Sequence, residues 1–180
     1  MLMLGEPSWK LSQPQLFTRV TYNSDMILNY TDLPQVRSSC DGTIVYARGA
    51  FDILHAGHIA FIEFAQQHGD VLVLGVISDK VVGQSKGKDR PVKNQEDRVR
   101  VANAIKGVDY AFIVPSPTDA LSSTELVIKQ LRPDKFVLFN EKEVYTNHFQ
   151  KLLGQCNVQL ILDDSTKLSS TTALIQKMRK

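Results

Sequence analysis

Long apolar runs are missing from this 180-residue sequence. The longest, 71-VLVLGVI-77, is strand-sized and falls well short of the ~20 residues a membrane span needs, so no spanning helix is expected. Cysteine is scarce. Cys40 and Cys156 offer neither a metal-ligand spacing nor a disulfide framework, which excludes a disulfide-stapled scaffold and suits a reducing, cytoplasmic setting. Charge of one sign is lacking too. Against 21 Lys and Arg stand 19 Asp and Glu, and a net charge of +2 is too small to drive nucleic-acid binding by bulk electrostatics. The opening MLMLGEPSWK has no basic start followed by a long apolar stretch, so no secretory signal is expected. No internal repeat or low-complexity tract is present. What remains is a globular composition, 43% hydrophobic and 22% charged, sufficient for one well-buried core and too short for two ordinary domains.

Residues 1–42 differ from the rest. They hold Pro7, Pro14 and Pro34 with several Ser, Thr and Asn, and no sustained apolar period, which predicts an extended lead-in that packs on the domain without a core of its own. The turn signal Asp41-Gly42 opens a domain over 43–180. There, strand-length apolar runs at 43–48, 71–77, 110–114, 135–139 and 158–162 alternate with helix-period segments at 57–67, 95–106, 121–131 and about 171–179. Strands apolar throughout, each separated by a helix, predict a parallel sheet covered on both faces. The economical topology is a Rossmann-like, doubly wound, five-stranded α/β fold, in which ligands bind beyond the carboxyl ends of the strands where strand order reverses.

The run after the first strand, 49-GAFDILHAGH-58, is where chemistry is expected. Gly49 and Ala50 allow close backbone approach to a ligand, and Gly57 does so again between His55 and His58. Two histidines three residues apart at a helix start can point to one side, where free amides and the helix dipole already favour an anion. Two histidines close by chance is the plain alternative. A zinc pair is another, but no cysteine or carboxylate cluster completes it, so no protein-held metal is expected. A second feature is the basic stretch from Lys86 to Arg100, in which Lys86, Lys88, Arg90, Lys93, Arg98 and Arg100 face only Asp89, Glu96 and Asp97. A lysine in a loop and an arginine on the next helix suit a phosphate, although a bare charge run also reads as a solvated face. The third is 169-SSTTALI-175. Its hydroxyls read first as a helix N-cap, and equally as a phosphate-binding helix start.

These residues resemble the His-x-Gly-His cytidylyltransferase group of nucleotidyltransferases over about 43–179. The resemblance implies a Rossmann-like domain that joins a nucleoside triphosphate to a small phosphorylated alcohol or sugar and releases pyrophosphate, using Mg²⁺, as a homodimer. It implies that His55 and His58 stabilise charge on the α-phosphate while Lys86 and Arg98 hold phosphates. Gly49, Ala50, Phe51, Gly57, Ser170, Thr171 and Thr172 would line the nucleotide site, and Asp52 with Lys86 the substrate site. Within the group, the segments 9–17, 44–52 and 85–98 are similar to the second half of ethanolamine-phosphate cytidylyltransferase. This favours a CTP-dependent enzyme of phospholipid synthesis. The basic stretch with 131-LRPDKFVLF-139 and 169-SSTTALI-175 is also similar to the adenylyltransferase domain that makes ADP-heptose. Where the group carries a Gly-Asp pair after the fourth strand, this chain has Asn140-Glu141. That departure keeps open a third reading, a catalytically weak nucleotide-binding or dimerising module that supports a partner domain.

Overall fold

The computed structural model describes residues 27–116, 120–139, 143–164 and 170–178. Five strands, β1 (Ile44–Gly49), β2 (Val71–Ile77), β3 (Tyr110–Val114), β4 (Lys135–Phe139) and β5 (Gln159–Asp163), form one sheet. All pairings are parallel, in the order β3-β2-β1-β4-β5. The helices are α1 (Leu33–Ser38), α2 (Ala56–Gln66), α3 (Asp79–Lys86), α4 (Gln95–Asn103), α5 (Ala120–Leu131), α6 (Glu143–Cys156) and α7 (Thr171–Met178).

Alternation along β1 assigns the two layers. Ile44 and Tyr46 join Val73, Phe112 and Phe136 on one face, beneath Leu33 and Val36 of α1, Val127, Ile128 and Leu131 of α5, and Leu152 and Leu153 of α6. Val45 and Ala47 join Leu72, Leu74, Val76 and Val137 on the other, beneath Phe61, Ile62 and Ala65 of α2 and Val99 and Ala102 of α4. Each such large side chain, fully buried, contributes on the order of 1.5–3 kcal/mol. The Tyr46 ring stacks between Phe112 and Phe136, with centroids 6.2 and 5.0 Å away. Burial there pushes its hydroxyl well above the ordinary phenol range.

Carboxylates pin the amino-terminal edge of the sheet. Asp134 accepts the Ile44 amide at 2.7 Å and pairs with Arg37 at 2.9 Å. Asp70 accepts the Thr43 amide at 2.8 Å, and Asp109 the Leu72 amide at 2.9 Å. With one edge so closed, the opposite edge is left for ligands. The chain runs outward from β1 to β2 and β3, then returns through α5 to β4 and β5. Strand order therefore reverses beside β1, and the crevice of a doubly wound sheet opens there.

Three differences from the sequence reading stand out. The lead-in is not extended throughout, since α1 occupies 33–38, although Leu28, Leu33 and Val36 pack on the domain in the expected way. Pro34 sits in the first turn of α1, where proline is well tolerated, and an apolar set this short carries no visible period. Helix α3 replaces the loop expected before Lys86, because its Gly83, Gln84 and Ser85 lack an apolar stripe. Helix α6 fills the stretch between β4 and β5. Asn140 and Glu141 lie outside the described residues, as does Ser169.

Candidate active site

The end of β1 turns sharply into α2. Phe51 and Ile53 both have φ near 48°, a left-handed conformation that non-glycine residues, and β-branched Ile above all, adopt at a cost. The turn is held in place by packing. Phe51 is buried, and its ring meets His58 edge-on with centroids 5.5 Å apart. A Cβ at Gly49 would stand 3.0 Å from the Phe51 ring, so glycine lets that ring fold back over the strand end. Phe51 thus packs against His58.

His55 is the N-cap of α2, extended at φ −147°, and its carbonyl accepts the amides of His58 at 2.9 Å and Ile59 at 3.3 Å. The two imidazoles stack with centroids 3.8 Å apart and planes 13° off parallel. Both are half-buried at the carboxyl end of β1. The His-x-Gly-His spacing therefore yields what the sequence implied, two rings on one side of a helix start. Gly57 lies between them in the first turn of α2.

Asp52 is a hub. Its fully buried carboxylate accepts Arg90 Nε at 2.8 Å and the amides of Val92 and Lys93 at 3.0 Å each. Burial alone would raise its pKa, but the Val92 and Lys93 amides and the Arg90 guanidinium outweigh that and hold it below the ordinary carboxylate value. Its backbone carbonyl accepts the hydroxyl of Thr171, 119 residues away. Three protein donors meet this carboxylate, and Asp52 thus fastens the loop over 87–93 and the start of α7 to the histidine turn.

Arg98 turns inward. It is 1% exposed and donates to the carbonyls of Lys93 and Ile77 at 3.0 and 2.7 Å, to the carbonyl of Ala50, and to the Asp79 carboxylate at 2.7 Å. The guanidinium ties the loops after β1 and β2 to each other. Ala50 takes part through its carbonyl. Lys86 is exposed, the last residue of α3, and Gly87 (φ 99°) carries the chain out of that helix. In the Ser-Thr-Thr run the three hydroxyls divide. Ser170 Oγ accepts the Ala173 amide at 3.2 Å as an N-cap, Thr171 is buried against Asp52, and Thr172 is exposed.

The structure thus brings together His55, His58, Asp52 and Thr171 at one edge of the sheet, with Arg90 joined to them. Arg90 is named with Lys86 and Arg98 in the basic stretch, but the sequence assigns it no role. It stood among six basic residues between 86 and 100, and spacing offered no way to tell the one paired to Asp52 from the others. No helix among the described residues is long and apolar enough to cross a membrane.

Known proteins resemble this chain at two levels, in fold and in sequence. The fold is shared with a lipopolysaccharide core biosynthesis protein from Thermoplasma volcanium GSS1, at TM-score 0.59 and 23% identity, covering 71% of this chain and 99% of that one. It is shared also with a pantoate-beta-alanine ligase from Francisella tularensis, complexed with beta-gamma ATP and beta-alanine, at TM-score 0.58 and 13% identity, covering 77% and 67%. In sequence, the bifunctional protein HldE of Nitratiruptor is 39% identical over 139 residues, 76% of this chain and 28% of that protein. The HldE of Magnetococcus marinus is 34% identical over 170 residues, 91% of this chain and 33% of that protein. This chain therefore spans about a third or less of the length of these relatives. They correct the leaning toward ethanolamine-phosphate cytidylyltransferase, whose similarity rested on the segments 9–17, 44–52 and 85–98. Residues 46–177 match the Cytidylyltransferase-like family, which takes in both strands of the crevice, the histidine turn and α7, and the chain belongs to that family of nucleotidyltransferases.

Proposed function

We propose that this chain is an adenylyltransferase domain that transfers the adenylyl group of ATP to a sugar 1-phosphate, a reaction of the ADP-heptose type. The observation that carries the reading is the stacked His55–His58 pair at the reversal point of the sheet, joined through Asp52 to the start of α7. Such an edge suits a triphosphate, with imidazoles over the α-phosphate and a helix N-terminus toward the outgoing phosphates. An oxygen of the sugar phosphate attacks the α-phosphorus, the bond to the bridging oxygen breaks, and pyrophosphate leaves with that oxygen. No covalent enzyme intermediate is required. The protein orients two anions in line and neutralises the charge that develops between them. By the family resemblance, Mg²⁺ would enter with the nucleoside triphosphate.

ATP is preferred over CTP in this reading because the relatives above carry the HldE name, and because 131-LRPDKFVLF-139 and 169-SSTTALI-175 resemble the ADP-heptose domain. The test is pyrophosphate release with each nucleotide, paired with heptose 1-phosphate or with phosphoethanolamine. Turnover of ATP with heptose 1-phosphate is expected, and H58A should lower kcat by roughly 10²–10³-fold, the range for loss of one preorganised donor. Turnover with CTP and phosphoethanolamine alone overturns the proposal. An unaltered kcat in H58A removes the histidines from the mechanism.

A further inference from the structure

We propose that Arg90 is the guanidinium that grips the phosphate of the non-nucleotide substrate. The assignment rests on the nucleotidyltransferase reading above and adds the residue that recognises its second anion.

Four cations lie between 86 and 93. Lys86, Lys88 and Lys93 are exposed, whereas the Arg90 side chain is 9% exposed. Its one ion pair among the described residues is made end-on, Nε to Asp52 Oδ2 at 2.8 Å. The Asp52 carboxylate also accepts two backbone amides, so the two-pronged pairing common between arginine and carboxylate is not formed. Nη2 is consequently left buried with no hydrogen-bond partner among the described residues. A buried donor without an acceptor is costly, more so when charged. It is readily explained where a ligand supplies the acceptor, and a guanidinium edge matches two oxygens of one phosphate.

A second orphan lies at the same edge of the sheet. Ser78, at the end of β2, is 6% exposed, and its hydroxyl neither caps α3 nor meets any other partner among the described residues. Its neighbour Ile77 receives Arg98, the residue that also holds Lys93 and Ala50. Two unfilled donors thus border the loop that Asp52 and Arg98 fasten down.

Topology decides which anion Arg90 meets. The triphosphate crevice lies where the order reverses between β1 and β4, and α7 reaches it from β5. The loop over 87–93 comes from α3, on the β2 side of β1. A nucleotide held by the histidines and α7 leaves the β2 side to the attacking phosphate. Lys86, the cation that the sequence reading placed at the substrate, is exposed at the end of α3, while Arg98 makes four hydrogen bonds to the protein.

The experiment uses the full chain with R90K and R90Q. In pyrophosphate-release assays with ATP and heptose 1-phosphate, R90Q is expected to raise KM for the sugar phosphate by roughly 10- to 100-fold, the worth of a hydrogen bond to a charged group. KM for ATP should stay within about twofold, where loss of structure would move both; R90K, which keeps charge but not the fork, should fall between. An equal rise in both KM values, or no rise in either, overturns the assignment. Should the wild type show no turnover with any substrate pair, the functional reading fails, and the assignment is then judged by inorganic phosphate. Stabilisation of the wild type against heat by phosphate, lost in R90Q and partly kept in R90K, upholds an anion site at Arg90. Stabilisation equal in all three, or absent in the wild type, ends it. R90K serves alone if R90Q does not fold.

Discussion

At the scale of the residue, Asp52 carries the heaviest structural duty in the site. A buried carboxylate with three donors is stable only while all three remain, and removing its charge leaves Arg90 uncompensated. D52N should therefore destabilise the chain at neutral pH by about 3–5 kcal/mol, the usual cost of breaking a buried pair. Its pH dependence follows from the direction of its shift. The folded carboxyl titrates below its ordinary value of 3.8, so its contribution is complete above that value and is lost as pH falls through the lowered one. Urea denaturation of wild type and D52N at pH 7 and at pH 3 should show the gap between them narrowing in acid. A gap of constant size would mean that the carboxylate charge is not what stabilises the turn. Phe51 and Ile53 belong to the same account. Their left-handed backbone costs on the order of 1–3 kcal/mol each, and the ties of Asp52 hold the chain in that shape.

At the scale of the element, what the sequence discloses depends on how strongly each segment is patterned. All five strands lie within about a residue of the runs read from it, since a strand buried on both faces is apolar at every position. Helices α2, α4, α5 and α7 are legible for a similar reason, each showing one apolar stripe. Helix α3 was missed because only Val81 and Val82 are buried on it. Helix α1 is a single short turn-and-a-half whose membership of the core comes from Leu33 and Val36 alone. The same packing makes a prediction for β2. A Cβ at Gly75 would lie 2.7 Å from both the Tyr46 hydroxyl and a Val114 methyl, so glycine is required by the stacking of Tyr46 across the sheet. G75A should cost about 1–3 kcal/mol, read as a lower urea midpoint with an unchanged slope. Wild-type stability in G75A would show that the Tyr46 layer yields more easily than its aromatic packing suggests.

At the scale of the whole molecule, the position of the site was legible and its wiring was not. Alternating strands and helices imply a doubly wound sheet, and such a sheet points to the loop after β1. Spacing placed His55 and His58 together. Nothing in spacing could show that Arg98 turns inward, that Asp52 serves the protein, or that Thr171 bonds to Asp52, because these depend on contacts between residues tens of positions apart. A site joined from three segments should respond to its ligand as one body. ATP at about 100 times its Kd should stabilise the native chain by about 2.7 kcal/mol, measurable as a rise in Tm, with CTP giving less. A larger effect of CTP would reassign the base. The bond from Thr171 to the carbonyl of Asp52 has a further consequence, one for biosynthesis. A ribosome that has made the histidine turn must add more than a hundred further residues before the partner for that carbonyl exists. Nascent chains that stop short of α7 can pair their early strands but lack this tie, so the histidine turn and α7 are joined only after Thr171 has been added.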